Sequence, residues 1–106
     1  MMQQMYSVIL AERAEEMLLS HTEFLAQVRG SGAYRLIEDF KKAADMLAGN
    51  PFQFPFADEM DVPGIPVETY RKCLFGWRYK ALYLVEDDQV YIDAIVDGRQ
   101  ENKGLY

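Results

Sequence analysis

Between Arg71 and Lys80 the chain places four cations, Arg71, Lys72, Arg78 and Lys80, and no acid. The protein around them is acidic, with 17 Asp and Glu against 11 Lys and Arg and a net charge of −6. Arginine meets anions with a planar fork of donors and lysine with a compact point charge. Such a cluster suits an anionic ligand, or the negative charge of a transition state, which a positioned cation stabilises electrostatically. A structural reading stands beside this one. Lys80 and Arg78 would then pair across strands with Asp93 and Asp97 on a solvated face, each pair being worth under about 1 kcal/mol. With this acidic balance no general affinity for phosphate is expected, so any nucleic-acid contact has to come from the local patch.

Other groups with chemical potential are few. His21 is the only histidine, and it falls on an apolar helical stripe, where a core or interfacial role fits better than that of a base. Cys73 is the only cysteine, which leaves no intramolecular disulfide and no thiolate zinc cluster. In its apolar strand it reads as a small hydrophobic side chain. No cofactor and no metal are expected.

The elements that must position these groups follow from periodicity. The 106 residues, half of them apolar and 13% aromatic, are expected to form one domain over 1–106 with a core that needs no staples. The apolar run from Val8 to Ala11 is too short for a signal-peptide core or a membrane span, so a cytoplasmic location and no membrane partner are expected. Tyr6 to Leu10 reads as a strand. From Glu12 the period becomes helical, with Met17, Leu18, His21, Phe24, Leu25 and Val28 on one stripe, for about 17 residues. Arg29 to Gly32 breaks that helix. A second stripe of Ala33, Leu36, Ile37, Phe40, Ala44 and Leu47 then runs to Gly49-Asn50-Pro51, a stop signal. Residues 51–69 hold all four prolines and alternate Phe52, Phe54 and Phe56, which predicts one long ordered connection fixed against the body. Three strands follow, Tyr70 to Phe75, Arg78 to Val85 and Val90 to Val96, as an antiparallel meander.

Register can be written down from the turns. A two-residue turn at Asp87-Asp88 sets Val85 opposite Val90, Tyr83 opposite Ile92, Ala81 opposite Ala94 and Tyr79 opposite Val96, all apolar or aromatic and therefore facing the helices. Continuing through a two-residue turn at Gly76-Trp77 sets Cys73 beside Lys80 and Arg71 beside Leu82. Arg71, Cys73, Arg78 and Lys80 then share an uncovered face, and Lys72 sits at the edge of the core face with its amine snorkelling out. Trp77 is either a plug in that turn or an exposed anchor. The fold class is α+β, β-αα-βββ, with a helical hairpin packed on one face of an antiparallel sheet.

That order, the segment PFQFPF after the second helix, the strand pair YRKCLFGWRYKALYLVEDDQVYI and the closing AIVDGRQ together resemble the RelE/ParE superfamily of bacterial type II toxin-antitoxin toxins, from Tyr6 to Gln100. The resemblance implies a toxin held by a cognate antitoxin. In the RelE-like branch such a toxin enters the ribosome and cuts mRNA, with lysines and arginines on the open sheet face and a C-terminal aromatic. In the ParE-like branch it lacks that constellation and inhibits DNA gyrase. Matched by position, Arg71, Lys80, Arg99 and Tyr106 would be the catalytic residues of an endoribonuclease, with Gln100 an alternative to Arg99. Cys73 stands where the RNase branch has a further basic residue, and a neutral thiol cannot stabilise a phosphorane. RNA cleavage by the 2′-hydroxyl also needs a base and an acid. Tyr106 or a lysine would have to serve, each weak at its ordinary pKa. The ribosome-dependent mRNA endonuclease is the favoured reading, with the gyrase inhibitor and a catalytically inactive binding module as alternatives, and a homodimer as a further option.

Overall fold

The change from alternating to helical period at Glu12 is where the first strand gives way to a helix. The computed structural model describes residues 5–58, 61–66, 68–76 and 78–98. Strand β1 (Ser7–Leu10) leads into helix α1 (Glu12–Val28) and helix α2 (Gly30–Gly49), followed after a short 3-10 turn by strands β2 (Arg71–Phe75), β3 (Tyr79–Glu86) and β4 (Gln89–Asp97). Glu12 and Glu15 in the first turn of α1 complement the positive end of its dipole. The expected break at 29–32 contracts to Arg29 alone, which is extended at φ −160° and donates its N–H to the Leu25 carbonyl at 2.7 Å. The glycines that follow are inside α2, whose first-turn N–H groups need no intrahelical partner in any case.

The sheet order is β1-β4-β3-β2, with β2, β3 and β4 antiparallel as expected and β1 added in parallel against β4. A parallel neighbour needs a crossover, and the helical hairpin supplies it. Ala14, Leu18, Leu36, Ala43 and Leu47 of the helices pack against Tyr79, Ala81, Tyr83, Val90 and Ile92 of the sheet. Phe24 and Val28, expected on the inner stripe of α1, are instead 54% and 62% exposed, on the flank of the line that Leu18 and Leu25 make toward the sheet.

Two one-residue differences change which side chains share a face. The Asp87-Asp88 turn is as expected, with Asp87 at φ 54°, and so are the pairs Val85 with Val90 and Tyr83 with Ile92. A bulge then lets Leu82 pair with Ala94, leaving Asp93 opposite no residue, so that Ala81 meets Ile95 and Tyr79 meets Asp97. Because side chains alternate, one extra residue transfers everything beyond it to the other face. Ile95 therefore enters the core under the helices, while Ala94 joins Leu82 on the opposite side, the reverse of the expected arrangement.

The second difference is the turn between β2 and β3. Phe75 pairs with Tyr79, which makes the turn three residues long, and Gly76 takes the left-handed φ of +57° that admits glycine at no steric cost. Arg71 consequently faces Tyr83 and Cys73 faces Ala81, not Leu82 and Lys80. Cys73 is fully buried in the helix-side core, whereas Lys72 and Lys80 stand on the other face.

That other face is not uncovered. The connection after α2 runs along β2, with the Lys72 N–H donating to the Pro55 carbonyl at 2.9 Å and the Ala57 N–H to the Tyr70 carbonyl at 2.7 Å. It buries Ala57 against Leu82 and Ala94, flanked by Val62, Tyr70 and Val96. Among the described residues no helix is long and apolar enough to cross a membrane, and no three His, Cys, Asp or Glu side chains are grouped to hold a metal.

Candidate functional site

The loop-covered face of the sheet carries a three-residue ionic cluster. Lys72 of β2 and Lys80 of β3 project on the same side of adjacent strands, and Asp61 of the connecting loop reaches both. Lys72 Nζ lies 2.8 Å from one carboxylate oxygen of Asp61, and Lys80 Nζ 2.5 Å from the other. Asp61 is buried, and its loop is held by a reciprocal pair in which the Asp58 N–H donates to the Asp61 carboxylate at 2.9 Å and the Asp61 N–H to the Asp58 carboxylate at 3.1 Å. Burial alone would raise the pKa of Asp61. The hydrogen bonds from Lys72 and Lys80, with that from Asp58, outweigh it and hold the carboxyl well below the usual carboxylate range. The expectation that Lys72 snorkels from the core face is thus corrected: it stands on the opposite face and is satisfied by an acid.

Arg71 is committed elsewhere. Its guanidinium sits 4.1 Å from the ring centroid of Phe56 and 5.4 Å from that of Phe52, and its Nη1 donates to the Phe54 carbonyl at 2.7 Å. The alternating phenylalanines of PFQFPF therefore wrap one arginine, combining cation–π contact with a hydrogen bond in its fork. Arg71 and Lys80 lie on opposite faces of the sheet, so the structure does not bring them together.

At the far end of β3, Arg78 takes Asp97 through two donors, Nε at 3.1 Å and Nη2 to the second oxygen, the cross-strand pair expected of it. Hydrogen bonding to Asp97 raises the pKa of Arg78 further, against a smaller opposing effect of burial. Asp93, the other acid expected to answer this cluster, accepts instead from the Tyr70 hydroxyl at 2.7 Å, which together with burial raises the pKa of Tyr70. Behind the sheet, His21 Nε2 is 3.1 Å from the Ile95 carbonyl oxygen and its ring is 5.2 Å from that of Tyr79, so it is the interfacial histidine its stripe predicted. Burial pushes the Cys73 thiol up to about 11, which keeps it protonated and inert at neutral pH.

Of the four candidate catalytic residues, Lys80 is on the loop-covered face in an ion pair and Arg71 is at the sheet edge in an aromatic cradle. Arg99 and Tyr106 lie outside the described residues, as do Trp77 and Gln100. Asp61 is the residue that sequence reasoning missed. It is 11 positions from Lys72 and 19 from Lys80, in a loop without periodicity, and nothing in its local sequence marks it.

No family model and no curated protein matches the sequence. Eleven chains of solved structures do. One is a chain from the chromosomal ParDE TA system from P. aeruginosa, 18% identical, with a TM-score of 0.68 over 89% of this chain and 97% of that one. Two helices on a four-stranded mixed sheet, superposing over nearly all of both chains, give this protein the RelE/ParE toxin fold.

Proposed function

We propose that this chain is the toxin of a type II toxin-antitoxin pair, cytoplasmic and held inactive by a cognate antitoxin, and that it acts by binding DNA gyrase rather than by cutting RNA. The fold it shares with the ParDE chain supports the toxin reading. The observation that carries the mode of action is the Asp61 cluster, in which a buried carboxylate already lies 2.5 Å from Lys80 Nζ. A cation already neutralised by an intramolecular anion gains little from charge developing on a substrate, so the electrostatic stabilisation required of Lys80 is mostly spent. Arg71, with its fork turned to Phe54 on the other face, contributes nothing to the same charge.

The test is induction in a host lacking the antitoxin, with supercoiling and cleavage-complex assays on the purified protein and cleavage mapping of cellular mRNA. Growth arrest with inhibited supercoiling and intact mRNA is the expected result. Cuts in ribosome-associated mRNA would overturn it in favour of the mRNA endonuclease, with Lys80, Arg99, Arg71 and Tyr106 as its residues. In that case Lys80→Ala or Arg99→Ala lowers the rate about 10² to 10³-fold, the usual loss for one charge-stabilising donor. Absence of any growth phenotype would identify a binding module without toxicity.

A further inference from the structure

The bulge in β4 does more than change the facing of Ile95. Asp93, the residue it leaves opposite nothing on β3, lines a half-open cavity of about 350 Å³ between the sheet and the loop. Small-molecule sites span roughly 300 to 1,000 Å³, and bulges are over-represented beside active sites, where they re-aim a side chain. Leu82, Ala94 and Val96 of the sheet and Val62 and Ile65 of the loop make the walls apolar. Asp93, Tyr70 and Arg13 are the polar groups that converge on this space. Asp93 takes the Tyr70 hydroxyl on one carboxylate oxygen at 2.7 Å, and its other oxygen has no donor among the described residues. Arg13 comes from the first turn of α1, which the Ala11 N–H ties to the end of the β1–β4 pairing by donating to the Ile92 carbonyl at 2.9 Å. Its side chain is exposed and has no ion pair among the described residues. Asp93 and burial raise the pKa of Tyr70, while the charge of Arg13 acts on the same hydroxyl in the opposite direction, so the cation lies within electrostatic reach of the Tyr70–Asp93 pair. Asp61 also borders the cavity, but Lys72 and Lys80 already answer both of its oxygens. One carboxylate oxygen and one guanidinium are left, close together and not in contact.

We propose that this cavity binds a small zwitterion, a free α-amino acid with an apolar side chain. Its ammonium meets the open oxygen of Asp93 and the Tyr70 hydroxyl oxygen, its carboxylate meets Arg13, and its side chain lies over Leu82, Ala94 and Val96. The Tyr70 hydroxyl spends its proton on Asp93, so its oxygen is left to accept from the ammonium. The guanidinium fork suits a carboxylate, which it can take through two donors. Other ligand classes fit less well. An amine without a carboxylate brings a second cation to Arg13, and a phosphate brings an anion against Asp93 and Asp61. A neutral apolar molecule leaves both charges unanswered, at the cost of part of their hydration. The interior of a peptide carries neither charge on its backbone, and a cavity of this size has no room for a longer chain. This site is independent of the toxin reading, since no group in it is among the residues that either mode of action uses.

The test titrates L-leucine, L-valine and L-phenylalanine into the full chain, read by calorimetry and by amide chemical shifts. Saturable shifts confined to residues 61–65 and 92–96 are expected from at least one of them. The N-acetyl and the amide derivatives of the tightest binder each lack one charge, and each should bind about tenfold to a hundredfold more weakly, the usual loss for one charged hydrogen bond. Asp93→Asn and Arg13→Gln should weaken binding by similar factors. Arg13→Gln also leaves the fold intact, because the side chain is exposed. Val28→Glu, at the other end of α1, should bind as the wild type does. The absence of saturable shifts with all three amino acids at millimolar concentration overturns the proposal. So does equal affinity for the acetylated or amidated derivative, which would mean that the two charges are not what the site reads. Binding that survives unchanged in both Arg13→Gln and Asp93→Asn lies elsewhere on the protein, and the cavity then loses its assignment.

Discussion

The two faces of the sheet are held by different physics. Among the described residues, thirteen buried under the helices form one cluster, whereas under the loop only Ala57, Leu82 and Ala94 are buried together. The helix face is held by apolar area, which is non-directional and indifferent to pH. The loop face has less such area, and directional contacts hold the loop there as well, Asp61 with Lys72 and Lys80 and the backbone hydrogen bonds at Pro55 and Ala57. Burying three charges is not a strong source of net stability, because desolvation offsets most of the attraction. Its effect is to specify where the loop sits, and in doing so it engages Lys80, one of the cations on which the RNase reading depends.

This contrast can be broken from either side. The largest effect should come from the helix face, where Ile92→Ala removes a fully buried side chain and is expected to cost about 3 to 4 kcal/mol. Urea unfolding should show the same loss at pH 5 and pH 8. Next comes Asp61→Asn, which leaves Lys72 and Lys80 without their carboxylate and should cost about 3 kcal/mol at neutral pH, since Lys72 is exposed enough to recover some water. This loss should depend on pH. The carboxyl of Asp61 is held below its ordinary value near 3.9, so its contribution is full above about pH 4 and fades as pH falls further. Wild type and Asp61→Asn should therefore converge in acid, and a gap that persists unchanged down to pH 2.5 would contradict the ionic account of this face.

A smaller effect is expected at the sheet edge. Arg71→Gln removes the cation between Phe52 and Phe56 and should cost about 1 kcal/mol, with faster amide exchange in the segment that wraps it. Smallest of all are changes at exposed apolar positions. Val28→Glu and Leu74→Glu should stay within about 0.5 kcal/mol of the wild type in urea unfolding, because both side chains are exposed.

What the sequence determined by itself is the local part of this protein. The helix from Glu12 to Val28, the stop at Gly49, the Asp87-Asp88 turn and the order β-αα-βββ are all legible, because hydrophobic period and turn chemistry act between residues a few positions apart. The RelE/ParE resemblance drew on that same order. Only the tertiary structure decided which side chains share a face. One bulge at Asp93 and one extra residue in the β2–β3 turn put Ile95 and Cys73 in the core and brought Lys72 beside Lys80. Facing in a strand depends on the parity of a residue count, and that count is set by how backbone hydrogen bonds and packing close together, not by residue type. The pairing of Asp61 with two lysines 11 and 19 positions away is of the same kind. It exists because the loop folds back over the sheet, and a contact made only by folding back leaves no periodic trace along the chain.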